Sequence, residues 1–222
     1  MNIPPRYDQK ILLYGMQRSG STLMWMILEK ILNREIFKTH TYIPAPKTII
    51  TYRDPRDIAS SIFRLSKNMG NGFTQENTII PFKKKYWAQT YSLVQSQINI
   101  FLQYKNTKKG DYLFLKYEEF FEDFDNIFNQ LSTFLGISIT TETKNYIMTH
   151  FNINNNKLFT DELTQNQRDK LRGKKNIKKR SFLPQHIFNG EISTWKKFVP
   201  IEEHENFNNY FSQQLNLMDY DN

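Results

Sequence analysis

Residues 11–23 read Ile-Leu-Leu-Tyr-Gly-Met-Gln-Arg-Ser-Gly-Ser-Thr-Leu, an apolar run that leads into a turn bounded by two glycines. This order predicts a strand, a tight turn over 15–20 and a helix opened by Ser21 and Thr22. The free N–H groups of a helix start, aligned with the helix dipole, attract anions. Arg18 adds a planar cation inside the turn. We therefore expect this segment to bind a phosphate-like group.

The turn departs from a Walker A loop, G-x-x-x-x-G-K-[ST], at one informative position. Gly15 and Gly20 have the required spacing and Thr22 is in place, but Ser21 stands where that loop carries its lysine. The sequence therefore lacks the cation that reaches the β- and γ-phosphates of ATP, and it carries a cation at Arg18 instead. A kinase-type function and an ordinary strand–turn–helix joint both remain as alternatives at this point.

A second strand is predicted over 47–52, KTIITY, and RDPRDIASS follows it at 53–61. The Asp-Pro pair in this segment suits a helix N-cap and a first helical position. Arg53 therefore leaves a strand end, and Ser61 lies on the helix that follows. Two anion-binding features at the carboxyl ends of two strands match the place where open α/β sheets bind ligands.

The rest of the chain alternates strands with helices. Strands are predicted near 10–14, 36–38, 47–52 and 111–116. Helices are predicted near 20–33, 55–68, 82–105, 118–135, 141–149, 160–172 and 202–216. This alternation favours an α/β fold, with a mainly parallel central sheet flanked by helices on both faces. At 222 residues we expect one domain over 1–222.

Positive charge is concentrated in one segment. Residues 168–180 hold eight cations and one anion, which is about +7 of the formal net charge of +8. The segment reads either as a solvated loop or as a lid over a phosphorylated nucleotide. Nucleic-acid binders usually interleave aromatic side chains with their cations, and this segment has none. We therefore expect no nucleic-acid partner.

The composition indicates an enzyme of the cell interior. The chain has no cysteine, which removes disulfides and thiolate metal sites. It has neither an 18-residue apolar run nor the pattern of a signal peptide. We expect a soluble, cytoplasmic protein without a membrane span, and the spacing of the histidines predicts no metal site.

Several segments, in order along the chain, resemble the sulfotransferases that use 3′-phosphoadenosine 5′-phosphosulfate (PAPS). The turn at 15–23 resembles their 5′-phosphosulfate loop, in the arginine form of many bacterial and protein-modifying members, and 53–61 resembles their 3′-phosphate motif. Weaker resemblances lie in KTH at 38–40, FLKYEE at 114–119, FLG at 134–136 and GEISTWK at 190–196. The resemblance implies a P-loop-like sulfotransferase fold in a small, bacterial-type member.

The resemblance also implies roles for the matching residues. Arg18 and Lys38 would neutralise charge on the transferring group, and His40 would take the acceptor proton. A histidine just past a predicted strand suits this role because its ordinary pKa lies near neutrality. Glu76 is the rival base, since other branches use a glutamate. Residues of the turn and of the later motifs would hold the nucleotide: Gln17, Arg18, Ser19, Gly20, Ser21, Thr22, Arg53, Ser61 and Tyr117.

Three departures separate the chain from the family pattern. Phe188 and Asn189 replace two cations that grip the nucleotide before the C-terminal tryptophan. Leu23 replaces the aromatic residue that stacks on adenine, and Trp25 is expected to point elsewhere. The stretch from His40 to Arg53 is short, so the insertions that larger family members carry on the substrate side are reduced in this chain.

The sequence therefore predicts transfer of a sulfuryl group from PAPS, as co-substrate, to a hydroxyl of a small-molecule, glycan, lipid or peptide acceptor. No metal is required by this scheme, because fixed cations take its place. A P-loop-like nucleotide kinase and a non-catalytic nucleotide-binding module are the alternatives. The sequence makes no prediction of the oligomeric state.

Overall fold

The computed structural model describes residues 11–68, 84–151 and 191–220. The strands are β1 (Ile11–Gly15), β2 (Phe37–Thr39), β3 (Lys47–Tyr52) and β4 (Asp111–Lys116). The helices are α1 (Ser21–Leu32), α2 (Pro55–Asn68), α3 (Lys84–Asn106), α4 (Tyr117–Glu122), α5 (Phe124–Leu135), α6 (Thr141–His150), α7 (Trp195–Phe198) and α8 (His204–Leu217). A short 3-10 turn, Ile201–Glu203, precedes α8.

The four strands form one parallel sheet in the order β2-β1-β3-β4. β1 lies inside the sheet and is buried on both faces, since neither Leu13 nor Tyr14 is exposed to solvent. Parallel strands are normally covered on both faces, which explains the continuous apolar run of β1. The expected α/β fold with a mainly parallel sheet is confirmed.

The strand order places a ligand crevice between β1 and β3. The chain leaves β1 toward β2 on one side, and it leaves β3 toward β4 on the other side. Ligands of open α/β sheets bind at such a switch point, outside the carboxyl ends of the strands. The glycine turn follows β1 and Arg53 follows β3, so both predicted anion-binding features lie at this crevice.

An aromatic cluster holds α2, α3 and α8 together. Trp87 of α3 stacks on Phe63 of α2 with ring centroids 4.6 Å apart, and it meets Phe207 of α8 edge-on at 4.9 Å. Trp195 stacks on Phe207 at 5.5 Å. Buried aromatic pairs of this kind contribute roughly 0.5–1.5 kcal/mol each beyond their buried area. The cluster thereby packs α2, which carries the second motif, against α3 and α8.

The chain divides into two compact units. The first comprises Met1–Asp123 with Ile192–Asn222, and the second comprises Phe124–Glu191. The first unit contains the sheet and every described residue of the candidate site. In the second unit the Lys144 ammonium lies 5.6 Å from the centroid of the Phe128 ring, joining α6 to α5. The expectation of a single domain over 1–222 stays a prediction.

Most predicted elements agree with the observed ones, but the helix predicted over 118–135 is two helices. Asp123 adopts an extended conformation between α4 and α5. Aspartate is a weak helix former because its side chain competes for nearby backbone groups, so a break at this position is physically reasonable. The helix predicted over 160–172 lies outside the described residues.

Candidate active site

The glycine turn is fastened to β3 by hydrogen bonds. The Met16 N–H donates to the Thr51 carbonyl at 3.0 Å. The buried Ser19 hydroxyl lies 2.7 Å from the Met16 carbonyl oxygen and 3.0 Å from that of Thr51. The Ser19 N–H also donates to Met16 at 3.2 Å. The hydroxyl and the N–H of Ser19 are thus both hydrogen-bonded within the protein. Direct ligand binding by Ser19 stays a prediction.

Neighbouring side chains approach both glycines of the turn so closely that a larger residue would not fit. A Cβ atom on Gly15 would collide with the Cβ of Ser21 and lie 3.0 Å from the Thr51 hydroxyl. Gly20 has a φ of +72°, and a Cβ atom there would lie 2.7 Å from the Tyr117 ring. Larger residues would therefore push the turn away from its neighbours, and at Gly20 the left-handed backbone also favours glycine.

The start of α1 directs backbone N–H groups out of the helix. The N–H of Met24 makes the bond to the Gly20 carbonyl, at 3.1 Å. The N–H groups of Ser21, Thr22 and Leu23 precede this first helical bond, as at any helix start. No acidic residue lies in the first turn of α1. These groups can therefore bind an anion, as the sequence predicts.

The two predicted anion-binding motifs meet through Arg18 and Ser61. The Arg18 Nε donates to the Ser61 hydroxyl at 2.7 Å, from the turn after β1 to helix α2. Arg18 has a φ of +67°, a left-handed conformation that is uncommon outside glycine. Local strain of this kind is found at ligand-binding loops, where the surrounding structure enforces it. The bond therefore joins the glycine turn directly to α2.

Arg53 is buried and held from two sides. Its side chain bonds the Asp57 carboxylate through Nη2 at 3.0 Å, and the residue is only 7% exposed. Its guanidinium carbon lies 4.1 Å from the centroid of the Tyr117 ring, which is a favourable cation–π contact. The guanidinium is therefore fixed in orientation at the end of β3.

Tyr117 lies between the two motifs. Its ring would lie 2.7 Å from a Cβ atom on Gly20, and its centroid lies 4.1 Å from the Arg53 guanidinium carbon. Burial raises the pKa of Tyr117 to about 12, so the phenol is protonated at neutral pH. The ring thus supports the turn and the arginine, and its direct contact with a nucleotide stays a prediction.

Lys38 reaches the start of α1 from β2. Its ammonium donates to the Thr22 hydroxyl at 3.0 Å. Burial lowers the pKa of Lys38 to about 8. Because this pKa lies about one unit above pH 7, roughly nine-tenths of the molecules would still carry the cation at that pH. Arg18, Lys38 and the start of α1 together give this site a strong preference for anions.

His40 is oriented by the backbone of the same turn. Its Nδ1 lies 2.5 Å from the Gly15 carbonyl oxygen. A carbonyl oxygen only accepts, so Nδ1 carries the proton and the neutral ring has its lone pair on Nε2. Part of the side chain is exposed, whereas its Nδ1 end lies against the turn. Burial lowers the pKa of His40, the Lys38 charge lowers it further, and the bond to Gly15 opposes both.

Three residues of the site were missed from the sequence. Gln97 of α3 accepts the Gln17 N–H through Oε1, which engages one of the amides expected to face the ligand. Asp57 and Thr194 are hydrogen-bonded to each other at 3.1 Å. Of these three residues, only Asp57 could have been found from the sequence. It follows Arg53 by four residues, which is the spacing of ion pairs on a helix.

Several expectations fall outside the described residues. These are the rival base Glu76, the basic segment 168–180 and the departures at Phe188 and Asn189. The Trp25 indole N–H donates to the Ile36 carbonyl at 2.9 Å, and the Lys38 ammonium lies 6.0 Å from the centroid of its ring, so the expectation that Trp25 points away from the nucleotide stays a prediction.

Residues 11–68, 84–151 and 191–220 contain no group of three or more metal-ligating side chains. Within the same part of the chain, each helix is too short or too polar to span a bilayer.

The structure is similar to those of known sulfotransferases. Mouse sulfotransferase SULT7A1 complexed with PAP superimposes with a TM-score of 0.65 at 17% identity, covering 96% of this chain and 90% of that chain. Retinol dehydratase, in complex with androsterone and the inactive cofactor PAP, gives a TM-score of 0.65 at 15% identity, covering 92% and 80%. At such identities the likeness establishes a common fold.

Sequence comparison gives the family. No protein with a curated description matches the chain. The family model described as the sulfotransferase domain matches residues 33–219. This range begins just after α1 and includes Lys38, His40, Arg53 and Ser61. Because the match spans most of the sequence and the sheet, turn and cations are arranged around one crevice, the chain belongs to the sulfotransferase domain family.

Proposed function

We propose that this sulfotransferase transfers a sulfuryl group from PAPS to a hydroxyl acceptor. The observation that carries the proposal is the convergence of Arg18, Lys38 and His40 on the glycine turn and the start of α1 that follows it. Arg18 belongs to the turn itself, Lys38 bonds Thr22, and His40 bonds Gly15. Two cations and a neutral base therefore lie beside the helix start that favours anions.

The anionic end of PAPS fits this arrangement. The amides of Ser21 to Leu23 would bind oxygens of the 5′-phosphosulfate, while Arg18 and Lys38 oppose the negative charge that builds up during transfer. Fixed cations and dipoles of this kind stabilise a transition state without reorganisation, because the fold has already positioned them. The two structural neighbours contain PAP, the nucleotide that remains when PAPS loses its sulfuryl group.

The reaction is a substitution at sulfur. The acceptor oxygen forms a bond to sulfur, and the bond between sulfur and the 5′-phosphate oxygen breaks. The electron pair of that bond stays on the phosphate, and PAP is the leaving group. His40 Nε2 accepts the proton of the acceptor hydroxyl. The neutral tautomer set by Gly15 is the form that this step needs.

Arg53 supplies recognition of the 3′-phosphate in this proposal. Its buried guanidinium lies at the end of β3, across the crevice from the turn. Ser61 would contribute through its hydroxyl, which also bonds Arg18. A nucleotide that bridges both motifs would carry phosphate groups at both ends of its ribose, as PAPS and PAP do.

The nucleotide preference tests this function. Adenosine 3′,5′-bisphosphate should raise the melting temperature far more than AMP or ADP, because tighter ligands stabilise the folded state more. Arg53→Ala should remove most of this difference, lowering affinity for the bisphosphate by about 10–100-fold, the value of one hydrogen bond to a charged group. The exposed Arg34→Ala is the matched control. Equal stabilisation by all three nucleotides would overturn the proposal.

The alkaline limb of the pH profile tests Lys38. Its cation is lost as the pH rises through the pKa of about 8. We expect kcat/KM, which reports the free enzyme, to fall above this pH. The limb in kcat should move to higher pH, because bound phosphosulfate favours the charged ammonium. Lys38→Arg should shift the limb out of the accessible range, and an unshifted limb in this variant would exclude Lys38 as its source.

The remaining features of the proposal rest on the sequence. We propose one sulfotransferase domain over 1–222, a cytoplasmic location and a small-molecule acceptor, with glycan and lipid hydroxyls as further classes. A metal is not needed by the scheme. The kinase alternative is disfavoured by Ser21 at the Walker lysine position, and Mg²⁺-dependent turnover of ATP would restore it.

A further inference from the structure

The Asp57 carboxylate joins two distant parts of the chain at the crevice. Asp57 is fully buried. Its Oδ2 accepts from Arg53 Nη2 at 3.0 Å. Its Oδ1 accepts from the Thr194 hydroxyl at 3.1 Å and from the Trp195 N–H at 3.0 Å. One carboxylate oxygen therefore accepts from the arginine, and the other accepts from the segment at the start of α7.

Two contacts constrain the Arg53 side chain. A buried carboxylate is tolerated only when its charge is paired and its lone pairs are used. Asp57 meets that condition through these three donors, which leave it little freedom to turn. The Tyr117 ring, 4.1 Å from the guanidinium carbon, limits Arg53 on another side. The direction of the guanidinium thus depends on Asp57, and the position of Asp57 depends on Thr194 and Trp195.

We propose that Asp57 is a positioning residue for recognition of the 3′-phosphate, and that it couples this recognition to the segment at Thr194 and Trp195. The inference rests on the proposed role of Arg53 in binding that phosphate. Asp57 itself does not touch the nucleotide. It holds the arginine donors in the direction from which the phosphate approaches, and the C-terminal segment holds Asp57.

The direction in which Asp57→Asn changes the affinity for the bisphosphate distinguishes a positioning role from a purely electrostatic effect. Asp57→Asn removes a negative charge beside a phosphate site, so charge alone predicts tighter binding of the bisphosphate. Positioning predicts the opposite. The asparagine carbonyl would stay with Thr194 and Trp195, and its NH2 group would then face the Arg53 donors. The NH2 group of the asparagine and the Arg53 guanidinium are both donors and would repel each other, so the Arg53 side chain would shift.

The experiment compares affinities for adenosine 3′,5′-bisphosphate and AMP by calorimetry in the full chain. In Asp57→Asn we expect the ratio of the two affinities to fall about tenfold or more, the effect of one misdirected charge-assisted bond. Affinity for AMP should stay within about twofold, because AMP has no 3′-phosphate. An unchanged or increased ratio would overturn the inference.

Thr194→Val tests the coupling even if Asp57→Asn does not fold. It removes one donor to Oδ1 and leaves the Arg53–Asp57 pair complete. The affinity ratio should fall by about threefold, the lower range of a neutral hydrogen bond, and Thr194→Ser should restore it. An unchanged ratio in a folded Thr194→Val protein would contradict the coupling.

Two controls separate this inference from the proposed function. If the wild-type protein shows no preference for the bisphosphate, the role of Arg53 fails and the inference falls with it. If Arg53→Ala abolishes the preference while Asp57→Asn keeps it, the proposed function stands and the positioning role of Asp57 is wrong.

Discussion

Replacing His40 with alanine or asparagine is expected to lower kcat by about 10²–10⁴-fold, the usual effect of removing an acid–base catalyst. The physical reason is the tautomer fixed by Gly15, which leaves Nε2 as the only lone pair of the neutral ring. Binding of adenosine 3′,5′-bisphosphate should be nearly unchanged, because His40 is proposed to face the acceptor. Initial rates with labelled PAPS and calorimetry with the bisphosphate measure the two effects.

The pH profile gives the same substitution a second signature. Turnover needs the neutral imidazole and is lost as the pH falls through the His40 pKa. Since burial and the Lys38 charge lower that pKa from 6.5, the acidic limb should lie below pH 6.5. It should vanish in His40→Ala.

Two further variants serve as controls for His40. His150→Ala is matched, because His150 is exposed and its Nδ1 also lies 2.9 Å from a backbone carbonyl, that of Tyr146. It should leave rate and profile unaltered. Glu76→Gln tests the rival base. Loss of turnover in Glu76→Gln, with rate and pH profile intact in His40→Ala, would move the role of base to Glu76.

Arg18→Ala should cost about 2–4 kcal/mol of transition-state stabilisation, a decrease in kcat/KM of about 30–1,000-fold. The guanidinium lies in the turn that we propose receives the phosphosulfate, so its contact should strengthen as charge moves to the leaving oxygen. Arg18→Lys should recover part of the rate, because it keeps the charge and loses the planar fork.

The controls for Arg18 separate its charge from its bond to Ser61. Arg34→Ala removes a cation of the exposed surface and should have little effect. Ser61→Ala removes the acceptor of the Arg18 Nε bond and should give a smaller loss than Arg18→Ala. Full activity of Arg18→Ala would show that the backbone amides of α1 suffice for the anion.

The sequence predicted those parts of the site that depend on short-range order. The apolar run before Gly15, the glycine spacing and the Asp-Pro pair after Arg53 each follow from local backbone preferences. The four predicted strands were therefore confirmed within a residue or so, and each motif was placed correctly at a strand end. The resemblance added the chemistry that these motifs share with a family.

The sequence could not predict which side chains meet across the fold. Arg18 bonds a serine 43 residues away, and Gln17 bonds a glutamine 80 residues away. Such contacts depend on the strand order β2-β1-β3-β4, which hydrophobic periodicity does not encode. The bond of the buried Ser19 hydroxyl to the Thr51 carbonyl, 32 residues away, is a further contact of this kind.

The bond between Asp57 and Thr194 has a consequence for synthesis of the protein on the ribosome. The two residues are 137 positions apart, and chains grow at roughly 5–20 residues per second. Arg53 and Asp57 therefore emerge roughly 7–27 seconds before the segment that completes their surroundings. Nascent chains stalled before Thr194 should show no protection by adenosine 3′,5′-bisphosphate against proteolysis, whereas chains released after α8 should. Nucleotide binding would thus report that translation has passed the last part of the site.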